Sequence, residues 1–190
     1  MEAPLLQLRT ARLILSTPTQ DLASAARDFH VRNHAFLAPW SPPTPASFET
    51  LGFWQDYAAK SREAFSAGSM VRLWVSPAEL PDKVIGSLGF SQIFRGPFCN
   101  AILGYQIDEA EQGKGLMFEA LAAGIEYMFD RQKLHRIGAN YMPHNVRSGR
   151  LLARLGFRIE GYARDYLFID GAWRDHVLTA LTNPQMQRPV

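Results

Sequence analysis

The chain has 190 residues, 47% of them hydrophobic and 20% charged, which suits a folded globular protein long enough for one substantial core. Lys and Arg number 20 against 18 acidic residues, and a net charge of +2 argues against a surface built for nucleic acid or an anionic membrane. The lone cysteine, Cys99, excludes an internal disulfide, and no apolar run is long enough for a bilayer span.

The opening Met1-Glu2-Ala3-Pro4-Leu5-Leu6 has no basic stretch ahead of an apolar one, so no secretory leader and a cytoplasmic address are expected. Arg12 to Leu15 reads as a strand. Thr19 to Asn33 follows as a helix, with capping-type residues first and Leu22, Ala25, Ala26 and Phe29 at helical spacing. Ala38 to Pro45 carries four prolines in eight residues and is expected to be a loop. Beyond it, Ala46 to Ser66 places Phe48, Leu51, Trp54, Ala58 and Phe65 on one side of a second helix.

Three strands are expected next, at Met70 to Val75, Val84 to Phe94 and Ala101 to Ile107, with turns at Pro77 to Asp82 and Arg95 to Pro97. A strong helix opens after Gln112-Gly113-Lys114-Gly115, with Phe118, Leu121, Ala122, Ile125, Met128 and Phe129 on one face. His135 to Tyr141 reads as a strand and Asn145 to Leu155 as a helix stopped by Gly156. Phe157 to Ile169 and Trp173 to Leu181 close the chain as two strands. This order predicts an α/β (α+β) domain over residues 1–190, with a mixed, mostly antiparallel sheet and helices on both faces.

Two segments carry chemistry. The first is the glycine loop Gln112 to Leu116 between a strand and a helix. Two glycines let backbone N–H groups converge, and a helix start leaves donors unpaired with about half a positive charge at that end. That combination suits a pyrophosphate. On its own the tetrapeptide is equally a plain glycine turn. It is not a P-loop, since no Ser or Thr follows the Gly-Lys pair, and it lacks the third glycine of a dinucleotide fingerprint.

The second segment, Asn140 to Ser148, ends a strand and enters a helix. Asn145, Ser148 and Leu152 share a face at helical spacing, so a ligand passing there would meet an amide and a hydroxyl. The alternative is that Asn145 only caps the helix and Ser148 is an ordinary surface serine.

These segments, together with Arg9 to Leu15, Leu103-Gly104-Tyr105 and Asn145 to Phe157, resemble the GNAT acetyltransferases of the RimJ/RimL branch. More narrowly, Gly115 to Leu121, Ala139 to Asn145, Arg147-Ser148-Gly149 and Gly171 to Leu181 are similar to the branch members that acetylate the N-terminal alanine of a small-subunit ribosomal protein. The resemblance runs from about residue 6 to residue 184, and the last block is its most specific part.

The resemblance implies the GNAT fold and acetyl-CoA as acyl donor. Backbone amides after a bulge in the central strand, at Tyr105, Gln106 and Ile107, would hold the pantetheine arm. Gln112, Gly113, Lys114, Gly115 and Leu116 would hold the pyrophosphate, with Asn140 and Asn145 on the cofactor and Ser148 beside the sulfur. Ser148, then Tyr141, is the expected proton donor to the departing thiolate. The family's usual Gln or Arg three positions before the first loop glycine is replaced by Ala110.

A base is missing. Many relatives carry a glutamate two residues before the Gly-Tyr pair, and here that position is Ile102. Glu119, Glu160 and Asp165 are the remaining candidates, although each reads more simply as a surface charge. The gap matters less for an α-amine of pKa about 7.7–8.0, of which roughly a tenth is neutral at pH 7, than for lysine at about 10.4. The acceptor side is expected to include Phe36, Trp40 and Arg95, with Trp40 equally readable as a core aromatic.

His30 and His34 lie four apart but lack a third ligand, and no metal site is expected. His135, His144 and His176 are scattered in sequence, and Cys99 reads as a small buried hydrophobe. The expected partners are acetyl-CoA and a protein with a free N-terminus, with no nucleic acid or membrane required. Two other readings remain open at this level: a GNAT enzyme acting on a small amine, and a non-catalytic acyl-CoA-binding module.

Overall fold

Among the described residues, eight strands form one mixed sheet in the order β1-β2-β3-β4-β5-β6-β8-β7. The computed structural model describes residues 5–186, so the opening Met1 to Pro4, read above as free of a leader, lies outside the described residues. The strands are β1 (Gln7–Arg9), β2 (Leu13–Ser16), β3 (Val71–Pro77), β4 (Gly86–Phe94), β5 (Asn100–Ile107), β6 (Arg136–Tyr141), β7 (Arg158–Ile169) and β8 (Ala172–Thr182). All neighbours are antiparallel except β5 and β6. A parallel pair needs a crossover connection, and the segment holding the glycine loop and the helix after it supplies one.

Side-chain alternation sends successive residues to opposite faces of the sheet. Val71, Leu73 and Val75 join Leu88, Phe90, Ala101 and Leu103 in a core under α4 (Leu116–Asp130) and α5 (Val146–Arg154). Trp74, between them in sequence, packs on the other face with Ala26, Phe29, Trp54 and Ala58. Those residues belong to α1 (Ala23–Arg32) and α3 (Leu51–Ser66), with the short α2 (His34–Leu37) beside them. Helices therefore cover both faces.

Several local expectations are corrected. The strand β1 pairs with β2 through Leu8↔Leu15 and was not expected, because three residues are too few to show a period. The helix expected from Ala46 is broken: Ala46–Glu49 is a 3₁₀ turn and Thr50 is extended. The Thr50 hydroxyl accepts the Phe53 N–H at 3.3 Å and starts α3. Trp54 ties the two pieces together, its indole N–H donating to the Phe48 carbonyl at 2.6 Å. On α4 the buried stripe is Met117, Ala120, Leu121, Gly124, Ile125 and Met128, and Ala122 is exposed. Gly124 lies in that stripe because a Cβ there would come within 3.2–3.4 Å of Leu88 and Phe90.

Candidate active site

The site is an opening in the sheet. β5 and β6 pair from Asn100↔Arg136 to Ile102↔Gly138 and then part. β5 stays in register with β4 as far as Ile107↔Gly86, and β6 stays paired with β8 as far as Tyr141↔Val177. On the side turned to β6, the backbone of Leu103 to Ile107 is left without a strand partner. The bulge expected in β5 is absent there, and the register irregularity falls on β4 between Ser91 and Phe94, where Gln92 has φ +50°. It is strand separation, rather than a bulge at Tyr105, that frees this edge.

A cleft of about 1100 Å³ fills the gap and reaches both faces. Adjacent residues of β5 show this directly. The Tyr105 hydroxyl lies 2.6 Å from Ser148 Oγ on α5, whereas the Gln106 side-chain amide donates to Ser41 Oγ at 2.9 Å in the proline-rich loop on the opposite face. One side of the opening thus belongs to α4 and α5, and the other to the loop after α2.

On the α5 side, Asn145 Oδ1 accepts the Ser148 N–H at 3.1 Å and caps the helix, which leaves its Nδ2 for a ligand. Of the two roles that the sequence left open for Asn145, the helix cap is the one seen here, and the cap does not use its Nδ2. The Tyr141 ring rests on Gly149 so closely that a Cβ there would meet it at 2.8 Å. Burial pushes the Tyr105 phenol up to about 12, with Tyr141 adding to the rise and the Ser148 bond partly offsetting it. Tyr105 therefore keeps its proton at neutral pH and holds Ser148 as a hydroxyl pair, either of which can donate.

The glycine loop follows a 3₁₀ turn at Glu109–Glu111, with Gly113 at φ +74° and Gly115 at φ +76°. Gly115 is the N-cap of α4 and provides no side-chain cap, so the first N–H groups of the helix remain free. Arg12 braces the loop from outside, donating to the Lys114 carbonyl at 3.0 Å. Across the mouth of the cleft, Arg147 donates to Gln112 Oε1. Arg147 thus brings a cation to the loop where Ala110, exposed in the 3₁₀ turn, carries none. Unfilled N–H groups, positive φ glycines and a nearby guanidinium fit a diphosphate.

On the opposite face the cleft is lined by Phe36, Trp40, Ser41, Gln106, Asn140 and His176. Trp40 is half-buried against the His144 ring, with centroids 5.4 Å apart, and faces the cleft instead of closing the core. Asn140 donates from Nδ2 to the Tyr166 hydroxyl at 3.0 Å.

Among the expected site residues, Tyr105, Gln106, Ile107, Gln112, Gly113, Gly115, Leu116, Asn140, Tyr141, Asn145, Ser148, Phe36 and Trp40 all meet at this cleft. Two do not line it. The Lys114 ammonium turns to Glu111 at 2.8 Å. Arg95 sits beyond the far end of β4, where its guanidinium donates to the Gln132 carbonyl and, at 2.8 Å, to Gln132 Oε1. It is withdrawn from the acceptor side because the turn after β4 lies at the end of the strand away from the opening.

None of the three candidate carboxylates lines the cleft. Burial raises the pKa of Glu119, but bonds from the Thr10 hydroxyl, the Arg12 N–H and the Arg12 guanidinium outweigh it and hold the group below the usual range. Glu160 pairs with Arg136, and Asp165 occupies a β7 bulge with φ +49°. Among the described residues, the only carboxylate lining the cleft is Glu111, which is held by Lys114. Sequence reading missed the side-chain contact of Tyr105 with Ser148 and the position of His176. Period-two alternation with Gln106 was the available signal for the first, and nothing local marked the second.

His30 is a structural residue, stacked on Trp54 at 4.1 Å. Burial first, then Arg32, lowers its pKa to about 4. No cluster of three His, Cys, Asp or Glu groups placed to hold a metal occurs among the described residues, and none of their helices is long and apolar enough to cross a membrane.

Comparison with known proteins agrees with this geometry. Residues 12–158 match the model of an acetyltransferase (GNAT) domain. The chain is 48% identical over 182 residues to the [ribosomal protein uS5]-alanine N-acetyltransferase of Escherichia coli (strain K12), covering 95% of this chain and 93% of that one. A crystal structure of the ribosomal-protein-S5-alanine acetyltransferase from Vibrio fischeri superposes with a TM-score of 0.90 at 34% identity, over 95% of this chain and 98% of that one. Mycobacterium smegmatis RimJ in complex with CoA-disulfide gives 0.85 at 29% identity, over 97% and 90% of the two chains. The sheet parted between β5 and β6, the glycine loop and these matches together place the chain in the GNAT acetyltransferase family.

Proposed function

We propose that this chain transfers the acetyl group of acetyl-CoA to the N-terminal α-amine of alanine on a small-subunit ribosomal protein, both substrates being bound at once. The single observation that carries the reading is the near full-length identity with the enzyme named for alanine N-acetylation of uS5. The two-sided cleft supports it. The acyl donor would enter along α4 and α5, its diphosphate on the free N–H groups of Gly113 to Leu116 and its pantetheine arm along the open edge of Tyr105 to Ile107. The acceptor would approach past Phe36 and Trp40.

The amine attacks the thioester carbon, and a main-chain N–H of the open β5 edge would steady the developing oxyanion. The thiolate leaves with a proton from Ser148, whose hydroxyl is paired with Tyr105. Tyr141 shapes the wall beside them. With Glu111 as the only lining carboxylate among the described residues, the site suits an amine that is partly neutral at pH 7, such as an α-amine. The reading includes catalysis by residues 1–190 as one domain, work in the cytoplasm, and no need for nucleic acid or membrane.

The test incubates the protein and acetyl-CoA with an alanyl peptide, a peptide with an internal lysine only, and a polyamine, following free thiol and peptide mass. Fast acetylation of the alanyl N-terminus alone is expected. Faster turnover of the polyamine or the lysine would replace the acceptor, and tight acetyl-CoA binding with no thiol release would leave only a binding module.

A further inference from the structure

The base absent from position 102 has a candidate from another strand. His176 lies on β8, 3% exposed, on the face of the cleft away from α5. Its Nδ1 lies 3.0 Å from the Arg174 carbonyl, which can only accept, so Nδ1 carries the proton. In the neutral ring the lone pair is then on Nε2, and no described protein group donates to it.

The surrounding strand pair is shaped around this ring. Between Ala163↔His176 and Leu167↔Arg174, three residues of β7 stand opposite one of β8. Asp175 staples that bulge, accepting the Asp165 N–H at 2.9 Å and the Tyr162 hydroxyl at 2.6 Å. The bulge sets the Tyr166 ring 5.3 Å from His176 and its hydroxyl on Asn140. Near the ring, β7 contributes Tyr166, which holds Asn140 of the neighbouring β6, and β8 contributes the flanking charged residues Arg174 and Asp175. Asp175 is held in the staple and Arg174 turns to the Ile169 and Asp170 carbonyls.

We propose that Nε2 of His176 accepts the proton of the attacking amine, directly or through one water. This rests on the acetyl-transfer reading above. The amine lone pair forms the C–N bond, the carbonyl π pair moves to oxygen, and the N–H proton passes to Nε2. Collapse of the adduct breaks the C–S bond, and the thiolate takes its proton from the Ser148 side. The imidazolium then releases its proton to water. The two proton transfers thus occur on opposite faces of the sheet, His176 on the acceptor side and the Tyr105–Ser148 pair on the thiol side.

Two variants and one measurement on the unaltered protein test this. His176→Asn keeps a donor at the Nδ1 position and removes Nε2, and His176→Gln places a non-basic amide near Nε2. With an alanyl peptide at pH 7, both are expected to lower kcat about 100-fold, leaving acetyl-CoA affinity by calorimetry within threefold. Their residual rate should rise with pH as the amine loses its own proton. Nitrogen-15 NMR of histidine-labelled wild type should report the Nδ1–H tautomer for the neutral ring.

A kcat within threefold of wild type in both folded variants overturns the proposal. So does an Nε2–H tautomer, which reads out even where a variant fails to fold. Wild type that turns over a different amine instead of the alanyl peptide overturns the acceptor reading alone, and the variants are then compared on that amine.

Discussion

The hydroxyls of Tyr105 and Ser148 lie 2.6 Å apart although 43 positions separate them in the chain. One is on the strand edge exposed by the parting of β5 and β6, and the other lies at the start of α5. In the proposed reaction Ser148 is the proton donor to the leaving thiolate, and this contact gives its hydroxyl a fixed partner.

Ser148→Ala is therefore expected to lower kcat about 100-fold with acetyl-CoA affinity nearly unchanged. Tyr105→Phe should cost less, since Ser148 keeps its hydroxyl. The double variant should fall little below Ser148→Ala, because the two hydroxyls act as one unit. Steady-state kinetics of the three variants checks this, and fully additive losses would mean that the pair does not work together.

Gly113 has nothing within 4 Å of the place a Cβ would occupy, yet its φ is +74°. Gly113→Val consequently acts through the backbone alone, since a β-branched residue resists that conformation. Coenzyme A affinity is expected to fall at least tenfold, about 1.4 kcal/mol, with the melting temperature little changed. Calorimetric titration with coenzyme A decides it, and normal affinity would move the diphosphate elsewhere.

Gly149→Ala tests the wall of the cleft. The added methyl would stand 2.8–3.0 Å from the Tyr141 ring and hydroxyl, so the ring must shift. Overpacking of this kind costs about 1–3 kcal/mol, partly offset by about 1 kcal/mol of helix propensity. A small change in thermal stability with a drop in kcat is the expected pattern. Unaltered kcat would free Tyr141 of any part in shaping the reaction.

His30 makes stability depend on pH. Its folded pKa of about 4 lies below the ordinary histidine value of 6.5, so between those pH values the unfolded chain binds a proton that the native state does not. Its contribution is complete above pH 6.5 and is lost as pH falls toward 4, reaching about 3 kcal/mol. His30→Phe, which keeps a ring against Trp54, should flatten this part of the stability profile. Denaturant melts at pH 7 and pH 4.5 give the comparison.

Much of this protein was legible in the sequence. Period-two alternation marked most strands, since a half-buried strand must alternate. The glycine loop was readable as an anion site because backbone N–H groups at a helix start attract anions, whereas Asn145 and Ser148 were singled out through the resemblance to the GNAT acetyltransferases. Thirteen of the expected site residues meet at one cleft, most of them expected from the family resemblance. What only the tertiary structure decided was long-range pairing. Arg95 is turned to Gln132, and Glu119 is spent on Thr10 and Arg12. His176 reaches the cleft because β8 inserts between β6 and β7. A side chain's partners depend on which strands become neighbours and where two of them part, and those choices follow from burying the whole core at once rather than from any short stretch of chain.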